Sequence, residues 1–415
     1  MFTQIFSSYK KAFTGLTTQV WWLSIVIFIN RAGTMVPLFL SLYLTQKKGF
    51  TLTQAGVIAA YFGAGSIIGA FVGGKLADKI GHLKVQFTAL ALGGVMFIAL
   101  AYLSSYYTLC AMTFALGIVS DAFRPANFVA IAKYSTPETL TRSYTLNRLA
   151  VNLGWSAGAS IGGFLASINY KLIFWVDGIA NIIAAFVLWF LLYRNDKKLT
   201  KKKQDSTDIL QEEIKENFPA LSPYKDKVYL KFIVICTLYT ICFILMFRII
   251  PNYFKDDLHL NERTIGAILA LNGIIIALFE MLIVSKVEGK KSNVTFIRIG
   301  CYIMIGGFAC LFSPYWGFAF GILCMLFFTV SEIATLPFMN AFMMSRTSKN
   351  NKGQYASLYT ASWSVALIVA PWLGGIIVDT FGYKTLWVIA IAVTIICIFL
   401  TYNLEPREKK TKTKV

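Results

Sequence analysis

The chain has 415 residues, of which 57% are hydrophobic and only 14% are charged, and its mean hydropathy is +0.63. Soluble domains carry about 25% charged residues, so this composition excludes a soluble protein and indicates one that crosses a membrane many times. The net charge of +19 would suggest nucleic acid for a soluble protein, but in membrane proteins Lys and Arg mark cytoplasmic loops. We therefore expect a lipid bilayer, and no nucleic acid, around this chain.

Twelve apolar segments are long enough to cross a bilayer, since a spanning helix takes about 20 residues. The first six predicted spans are residues 20–44, 54–73, 85–104, 108–133, 144–167 and 172–193. The second six are residues 229–252, 263–285, 295–312, 316–345, 354–378 and 384–403. The predicted fold class is an all-α polytopic membrane protein. It divides into an N-terminal half (1–193), a polar linker (194–228), a C-terminal half (229–403) and a basic tail (404–415).

Lys and Arg are concentrated at one end of the predicted spans. The end that carries both termini and the linker has most of them, whereas the opposite end has only Lys47, Lys48, Lys171, Lys255, Arg263 and Lys384. The positive-inside rule places the basic end in the cytoplasm. We therefore expect a multi-pass protein of the cell membrane whose two termini are cytoplasmic, which an even number of spans allows.

The two halves repeat similar residues in the same order. Gly56 recurs as Gly266 at an offset of 210, and Ser120-Asp121 recurs as Ser331-Glu332 at an offset of 211. Gly162-Gly163 recurs as Gly374-Gly375 at an offset of 212, and Trp175 recurs as Trp387 at the same offset. A run of such matches indicates duplication of a six-helix unit.

The segment Gly74–Lys84 lies between the second and third predicted spans and is short, polar and basic. A solvated tight turn is the simplest interpretation. The segment also resembles the loop 2–3 signature of the major facilitator superfamily, with Lys79 in place of an arginine and matches at Gly74, Leu76, Ala77, Asp78 and Gly81. The resemblance implies a gating role for Gly74, Asp78, Lys79 and Gly81. It also implies that Asp78 meets the start of span 11 near Gly353-Gln354.

A second resemblance lies in span 5. Residues 154–163 are similar to the helix-five motif of exporters that exchange substrate against protons, with Ala159 in place of its proline. Gly154, Gly158 and Gly162 form a ridge of small residues that lets a neighbouring helix approach closely. A gating role and plain helix packing are both open for them. Arg148, one turn from the cytoplasm, is predicted to act as a gate or to contact lipid headgroups.

Charged residues inside the spans are costly in hydrocarbon and are therefore functional candidates. Asp121 and Arg124 are three residues apart and share a helix face, either as a structural ion pair or as part of a site. Glu280 is either a proton carrier or part of a salt bridge across the bundle. For Arg248, snorkelling to the surface competes with function, and Asp177 is interpreted as structural, with an amide of span 5 as its partner. The candidates for substrate binding and proton coupling are Arg31, Asp121, Arg124, Glu280 and Glu332.

These features and the resemblance together imply a proton-coupled secondary transporter of the drug/proton antiporter branch. It would work as a monomer and export drug-like molecules by alternating access around a cavity lined by spans 1, 4, 7 and 10. The alternative is a proton-coupled symporter that imports a small anionic solute or peptide on Arg31 and Arg124. The spans hold no paired Asp, Ser/His or metal-ligand cluster, so we expect no enzyme, cofactor or metal. Residues 69–76 lack the Ser/Thr of a phosphate loop, so we expect no ATP.

Overall fold

The computed structural model describes residues 14–136, 139–193, 222–287, 290–312, 317–346 and 352–404. Most of the predicted linker and nearly all of the predicted tail lie outside these residues. The described helices are α1 Thr18–Ala32, α2 Val36–Lys48, α3 Leu52–Ile80, α4 His82–Leu100, α5 Tyr106–Asp121, α6 Phe123–Tyr134, α7 Leu140–Ile168, α8 Lys171–Leu188, α9 Lys227–Arg248, α10 Ile250–Asp256, α11 Glu262–Val287, α12 Asn293–Cys310, α13 Gly317–Ser345, α14 Lys352–Phe381 and α15 Tyr383–Tyr402. A π-helical turn, Trp189–Tyr193, follows α8.

Twelve helical segments are long and apolar enough to cross a membrane, which confirms the predicted fold class. We number them as spans 1–12. Spans 1, 4 and 7 each contain two helices (α1 with α2, α5 with α6, and α9 with α10), and each other span contains one. We call spans 1–6 the N-terminal half and spans 7–12 the C-terminal half. Both described ends, residues 14 and 404, lie on what we call the termini side, and the opposite side is the far side.

Span 2 ends later than the sequence predicted. Helix α3 continues to Ile80, so that only Gly81, with a φ of +94°, makes the turn into span 3. The prediction of a polar turn over residues 74–84 was therefore wrong. Hydropathy marks where the apolar segment ends, but Lys, Leu and Ala are good helix formers and continue the helix into water. Glycine adopts a positive φ at little cost, which explains Gly81. The side chain of Asp78, and with it the predicted contact to span 11, lies outside the described part of the chain.

Span 1 is interrupted between Ala32 and Val36. The fully buried Asp177 of span 6 holds this break, because its Oδ2 accepts a hydrogen bond of 3.0 Å from the backbone N–H of Val36. Asn181 donates to the other carboxylate oxygen at 3.1 Å and accepts a hydrogen bond of 2.7 Å from Asn30. A carboxylate at a helix start satisfies free amides and matches the helix dipole. Asp177 is thus structural, but its partner is span 1, and the predicted partner in span 5 was wrong.

Four of the six repeated glycines lie where the two halves approach each other. Span 2 packs on span 11, where a Cβ on Gly56 would meet the backbone of Pro371. Span 5 packs on span 8, where a Cβ on Gly163 would come within 2.8 Å of the Cα of Gly266. A Cβ on Gly375 would come within 2.6 Å of a backbone oxygen of span 2. The duplicated positions therefore build two equivalent close helix pairs, one on each side of the molecule.

Candidate functional site

A cavity of about 360 Å³ lies between the two halves. Its volume is within the range of small-molecule sites. The resemblance implied spans 1, 4, 7 and 10 as its walls, and spans 2, 5, 8 and 11 contribute as well. The charged or strongly polar residues that line it are Asp121, Arg124, Asn152, Arg248, Asn272 and Glu332.

Asp121 and Arg124 lie at the break of span 4, where α5 ends at Asp121 and α6 begins at Phe123. The Arg124 Nη2 is 3.3 Å from the Asp121 Oδ1, so the predicted pair forms. Arg31, in the last turn of α1, does not line the cavity, but it lies within electrostatic range of Asp121, Arg124 and Asp177. Its Nε is buried without a hydrogen-bond partner among the described residues. The N-terminal half therefore places charges of both signs close to the cavity.

Glu332 reaches the cavity from span 10 and has a neutral partner. Its Oε2 accepts a hydrogen bond of 2.9 Å from the side-chain amide of Asn272 on span 8. The same amide also donates to Thr329 at 3.2 Å. Among the described residues, no cation lies within ion-pair distance of Glu332. Glu280 and Arg148 both act on it electrostatically.

Glu280 forms an ion pair with Arg148, so of the two alternatives for Glu280 the structure shows the salt bridge. Arg148 belongs to span 5 and Glu280 to span 8. In the described part of the chain, this is the only ion pair that joins the two halves. Neither residue lines the cavity. Glu280 is 12% exposed and Arg148 is 45% exposed, so the pair lies at the edge of the interface.

Arg248 points into the molecule, whereas snorkelling would carry it to the surface. It lines the cavity, and its Nη1 donates a hydrogen bond of 2.7 Å to the backbone oxygen of Pro37 in span 1. Aromatic rings cover the neighbouring wall. The ring centroids are 6.1 Å apart for Trp155–Phe247, 5.5 Å for Phe243–Phe247 and 6.1 Å for Phe243–Trp363.

The span 5 glycines pack inside the N-terminal half. A Cβ on Gly154 would come within 2.5 Å of the Arg31 Cβ, and one on Gly158 would come within 3.1 Å of the Ala32 backbone oxygen. Gly162 meets the side chain of Met35 in the same way. The sequence predicted that a neighbouring helix approaches these glycines closely. That neighbour is span 1, and the contact lies at the break of this span. The opposite face of span 5 contacts span 8 through Gly163.

On the far side, hydrogen bonds join the halves. Asp379, at the end of span 11, accepts hydrogen bonds from the first amides of span 2, at 3.2 Å from Leu52 and 2.6 Å from Thr53. Tyr170 donates to Glu262 at 2.9 Å. Further contacts between the halves are Asn252–Ser41 and Gln46–Asp256. On the termini side, the described residues show one ion pair between the halves, Arg148–Glu280, and Arg124 is 48% exposed. In the described part of the chain, the two halves are therefore joined mainly on the far side.

Comparison with known proteins identifies the family. The sequence model described as Major Facilitator Superfamily matches residues 23–366 and 334–415. The chain belongs to the major facilitator superfamily. It is 23% identical to the Uncharacterized MFS-type transporter YttB of Bacillus subtilis over 94% of this chain and 96% of that one. It is 32% identical to the Multidrug resistance protein MdtG of Proteus mirabilis over 46% of each chain.

Among solved structures, a POT family transporter in complex with 5-aminolevulinic acid has the same fold. The TM-score is 0.75 at 16% sequence identity, and the match covers 95% of this chain and 98% of that one. As a major facilitator protein, the chain is a multi-pass membrane transporter of small molecules and not an enzyme. The predicted family resemblance is confirmed, and its relatives include multidrug resistance proteins.

Sequence reasoning missed several residues of this major facilitator cavity. Asn272 was not predicted, because the candidates for substrate binding were charged residues and Asn272 carries no charge. A side-chain amide inside an apolar span needs a hydrogen-bond partner, so it could have been recognised as a candidate. Trp155 was noticed only as part of the glycine motif, and Trp363 resembled any other core aromatic. Asp379 lies near the end of a span, where a carboxylate is unremarkable, so no local pattern indicated its contact with span 2.

Proposed function

We propose that this transporter is a proton-coupled exporter of drug-like molecules that alternates between states open to the two sides of the membrane. In this proposal the residues for substrate and proton coupling are Arg31, Asp121, Arg124, Glu280 and Glu332. The gating residues are Gly74, Asp78, Lys79, Gly81, Arg148, Gly154, Gly158 and Gly162. The observation that carries the proposal is the environment of Glu332.

Glu332 lies in the cavity wall with an amide as its hydrogen-bond donor. It can therefore take up or release a proton without breaking an ion pair, which neither Asp121 nor Glu280 can do. A bound proton removes the negative charge that acts on the nearby Arg148–Glu280 pair. Because Arg148 and Glu280 belong to different halves, protonation of Glu332 changes the attraction between the halves. A ligand or proton shifts such an equilibrium only through this kind of differential interaction.

The cavity suits a substrate that is largely apolar. Aromatic side chains from spans 5, 7 and 11 face it, and rings offer large contact area without fixed hydrogen-bond geometry. Such a wall accepts molecules of different shape, as a drug exporter must. The name of the relative MdtG, a multidrug resistance protein, supports export as the direction.

The arrangement in the membrane is part of the same proposal. We propose that residues 1–193 and 229–403 form two six-helix halves joined by a cytoplasmic linker, and that the chain acts as a monomer in the cell membrane. The excess of Lys and Arg on the termini side supports a cytoplasmic location for both termini. We propose that the state described here, in which the halves are joined mainly on the far side, loads a substrate from the cytoplasm for export.

The test uses the purified full chain in proteoliposomes with an imposed pH gradient and ethidium as an aromatic probe. We expect gradient-driven ethidium movement by the wild type. Glu332→Gln should lose the driven movement but retain exchange of ethidium without a gradient, because the cavity remains. Asp257→Asn, which neutralises an acid outside the spans, is the control and should behave as the wild type. Movement that ignores the pH gradient and depends on sodium would refute proton coupling.

An importer of a small organic anion is the second candidate, because Arg124 and Arg248 line the cavity and Arg31 lies beside it. Arg31→Ala separates the two functions. If the variant loses uptake of an anion, import is favoured. If cells that express it instead lose the ability to keep ethidium out, export is favoured.

A further inference from the structure

We infer that Arg248 forms an anion-binding subsite at the far end of the cavity, which takes the carboxylate of an aromatic acid. The inference deepens the proposed function by naming a substrate class, and it uses the same cavity. Arg248 differs from the other arginines of the interface in its partners. Among the described residues, no carboxylate lies within ion-pair distance of its guanidinium. The other arginines of the interface, Arg124 and Arg148, each have one.

Most donors of Arg248 remain available to a ligand. A guanidinium has five N–H groups in a planar fork. In the described structure one nitrogen, Nη1, donates to Pro37. None of the Arg248 nitrogens is among the buried polar atoms that lack a partner, so the other N–H groups reach accessible surface. Arg248 lines both this cavity of about 360 Å³ and a small apolar space of about 10 Å³ beside Pro37, and only the larger one has room for a ligand.

The position of Arg248 in its helix explains why a charge is tolerated here without a carboxylate. Arg248 is the last residue of α9, where unpaired backbone carbonyls and the helix dipole favour a cation. These partial charges only lessen the cost of burial, and they cannot replace a bidentate carboxylate. The planar fork of arginine matches a carboxylate with two parallel hydrogen bonds. A substrate with a carboxylate would supply this missing partner.

The surroundings indicate what the rest of the ligand is. Phe247 precedes Arg248 directly, and its ring lies 6.1 Å from that of Trp155 and 5.5 Å from that of Phe243. A ligand that places its acid on Arg248 therefore places its body among these rings. Aromatic ligands gain offset or edge contacts with such a group. An aromatic acid fits both features at once.

The subsite is separate from Glu332. The Tyr239 hydroxyl lies 3.0 Å from the Ser331 Oγ. Since Ser331 directly precedes Glu332, Tyr239 and Glu332 lie at a similar depth in the membrane. Arg248 lies nine residues further along span 7, or about 13 Å toward the far side at 1.5 Å per residue. Arg248 therefore places a cation at the far end of the cavity, and Glu332 places a carboxyl group nearer the termini side. An anion at Arg248 does not displace the proposed proton site.

The experiment compares two ligands that differ only in charge. The full chain in detergent is titrated calorimetrically at pH 7.5 and low salt with 2-naphthoate, which is ionised, and with 2-naphthamide, which is neutral. We expect the wild type to bind the acid about tenfold more tightly or better, as a charge-assisted hydrogen bond predicts. Arg248→Gln should abolish this preference and leave the affinity for naphthamide unchanged. Arg248→Lys, a point charge without the fork, should retain part of it.

Binding of naphthamide also shows whether each variant is folded. Should Arg248→Gln bind neither ligand, Arg248→Met provides a second neutral form. The control is Arg263→Gln, which makes the same change at a far-side arginine that bonds to Ser167 outside the cavity, and it should keep the wild-type preference.

The subsite would be overturned by no binding of naphthoate by the wild type, by an equal affinity for both ligands, or by a preference that persists without Arg248. Loss of the preference in Arg124→Gln alone would move the subsite to Arg124 and also overturn it. Failure of the proposed function looks different, because it appears as ethidium transport that is insensitive to Glu332. Binding of naphthoate in detergent needs neither a pH gradient nor Glu332.

Discussion

Spans 4 and 10 carry acids at equivalent positions of the repeat, but the two acids have different partners. Asp121 pairs with Arg124 one turn further along its own span. At the offset of 211 that relates Asp121 to Glu332, the position of Arg124 is occupied by Thr335, which is fully buried. Glu332 instead accepts a hydrogen bond from the neutral amide of Asn272. The same location in the fold thus holds an acid with a cationic partner in one half and an acid with a neutral partner in the other, which is where we propose that the proton binds.

The arginines at the breaks of spans 1 and 7 differ in the same way. Arg31 and Arg248 both lie in the last turn of the first helix of a broken span. Arg31 lies within electrostatic range of two acids, whereas Arg248 has no carboxylate partner among the described residues. At these positions, opposite charges lie close together in the N-terminal half, whereas Glu332 and Arg248 in the C-terminal half have no ion-pair partner among the described residues. This asymmetry is the reason that we propose both the proton site and the anion subsite in the C-terminal half.

The most severe test makes Glu332 resemble Asp121. Asn272→Lys places a cation where the neutral amide now meets the Glu332 carboxylate. We expect gradient-driven ethidium transport to fall about 100-fold, the factor that corresponds to an ion pair of about 3 kcal/mol in a buried site. The measurement is transport in proteoliposomes. Asn272→Gln retains an amide donor and should keep most of the activity. Full activity of Asn272→Lys would show that the neutral partner is irrelevant.

The ion pair between the halves gives the next largest effect. Arg148→Ala leaves Glu280, which is 12% exposed, as a charge without its partner. We expect the free energy of unfolding to fall by about 1–3 kcal/mol, the cost of an unpaired buried group. Its measurement is thermal unfolding in detergent. The double variant Arg148→Ala with Glu280→Gln removes the stranded charge and should recover much of the loss. If both variants lose the same stability, the unpaired charge of Glu280 is not the cause of the loss.

The far-side contact between spans 11 and 2 should have a smaller effect. Asp379→Ala removes a carboxylate that accepts hydrogen bonds from two amides at the start of span 2. A helix cap of this kind stabilises by about 1 kcal/mol, so the population open to the far side should rise about fivefold. The measurement is the rate at which an impermeant maleimide, added on the far side, labels a Leu38→Cys variant.

Two further substitutions serve as comparisons in the maleimide labelling experiment. Asp379→Asn keeps one acceptor oxygen and should give an intermediate labelling rate. Asp257→Ala removes an acid in the far-side turn that holds no amide of span 2, and it should leave the rate unchanged. Equal labelling with and without Asp379 would exclude a role for this contact in closing the far side.

The sequence predicted the fold well because the signals for it are local. Twelve apolar segments define the spans, and the pair Asp121–Arg124 follows from a spacing of three residues on one helix. The Arg148–Glu280 pair joins residues from different halves, and Asp177 caps a helix start 141 positions away, so neither partner could be read from spacing. Hydropathy also located the edge of the bilayer but not the end of the span 2 helix, which depends on helix propensity and on Gly81.

The smallest effect is expected in the N-terminal half, where Asp121 and Arg124 form an ion pair. Arg124→Gln removes the partner of Asp121, but Arg124 is 48% exposed, so the pair contributes at most about 1 kcal/mol. We expect ethidium transport to fall only a fewfold, since Asp121 remains near Arg31 and keeps part of its compensation. The measurement is the same proteoliposome assay, with Arg124→Lys as the charge-retaining control. A loss as large as that of Glu332→Gln would show that the N-terminal acid also exchanges protons, and the functional difference between the two halves would disappear.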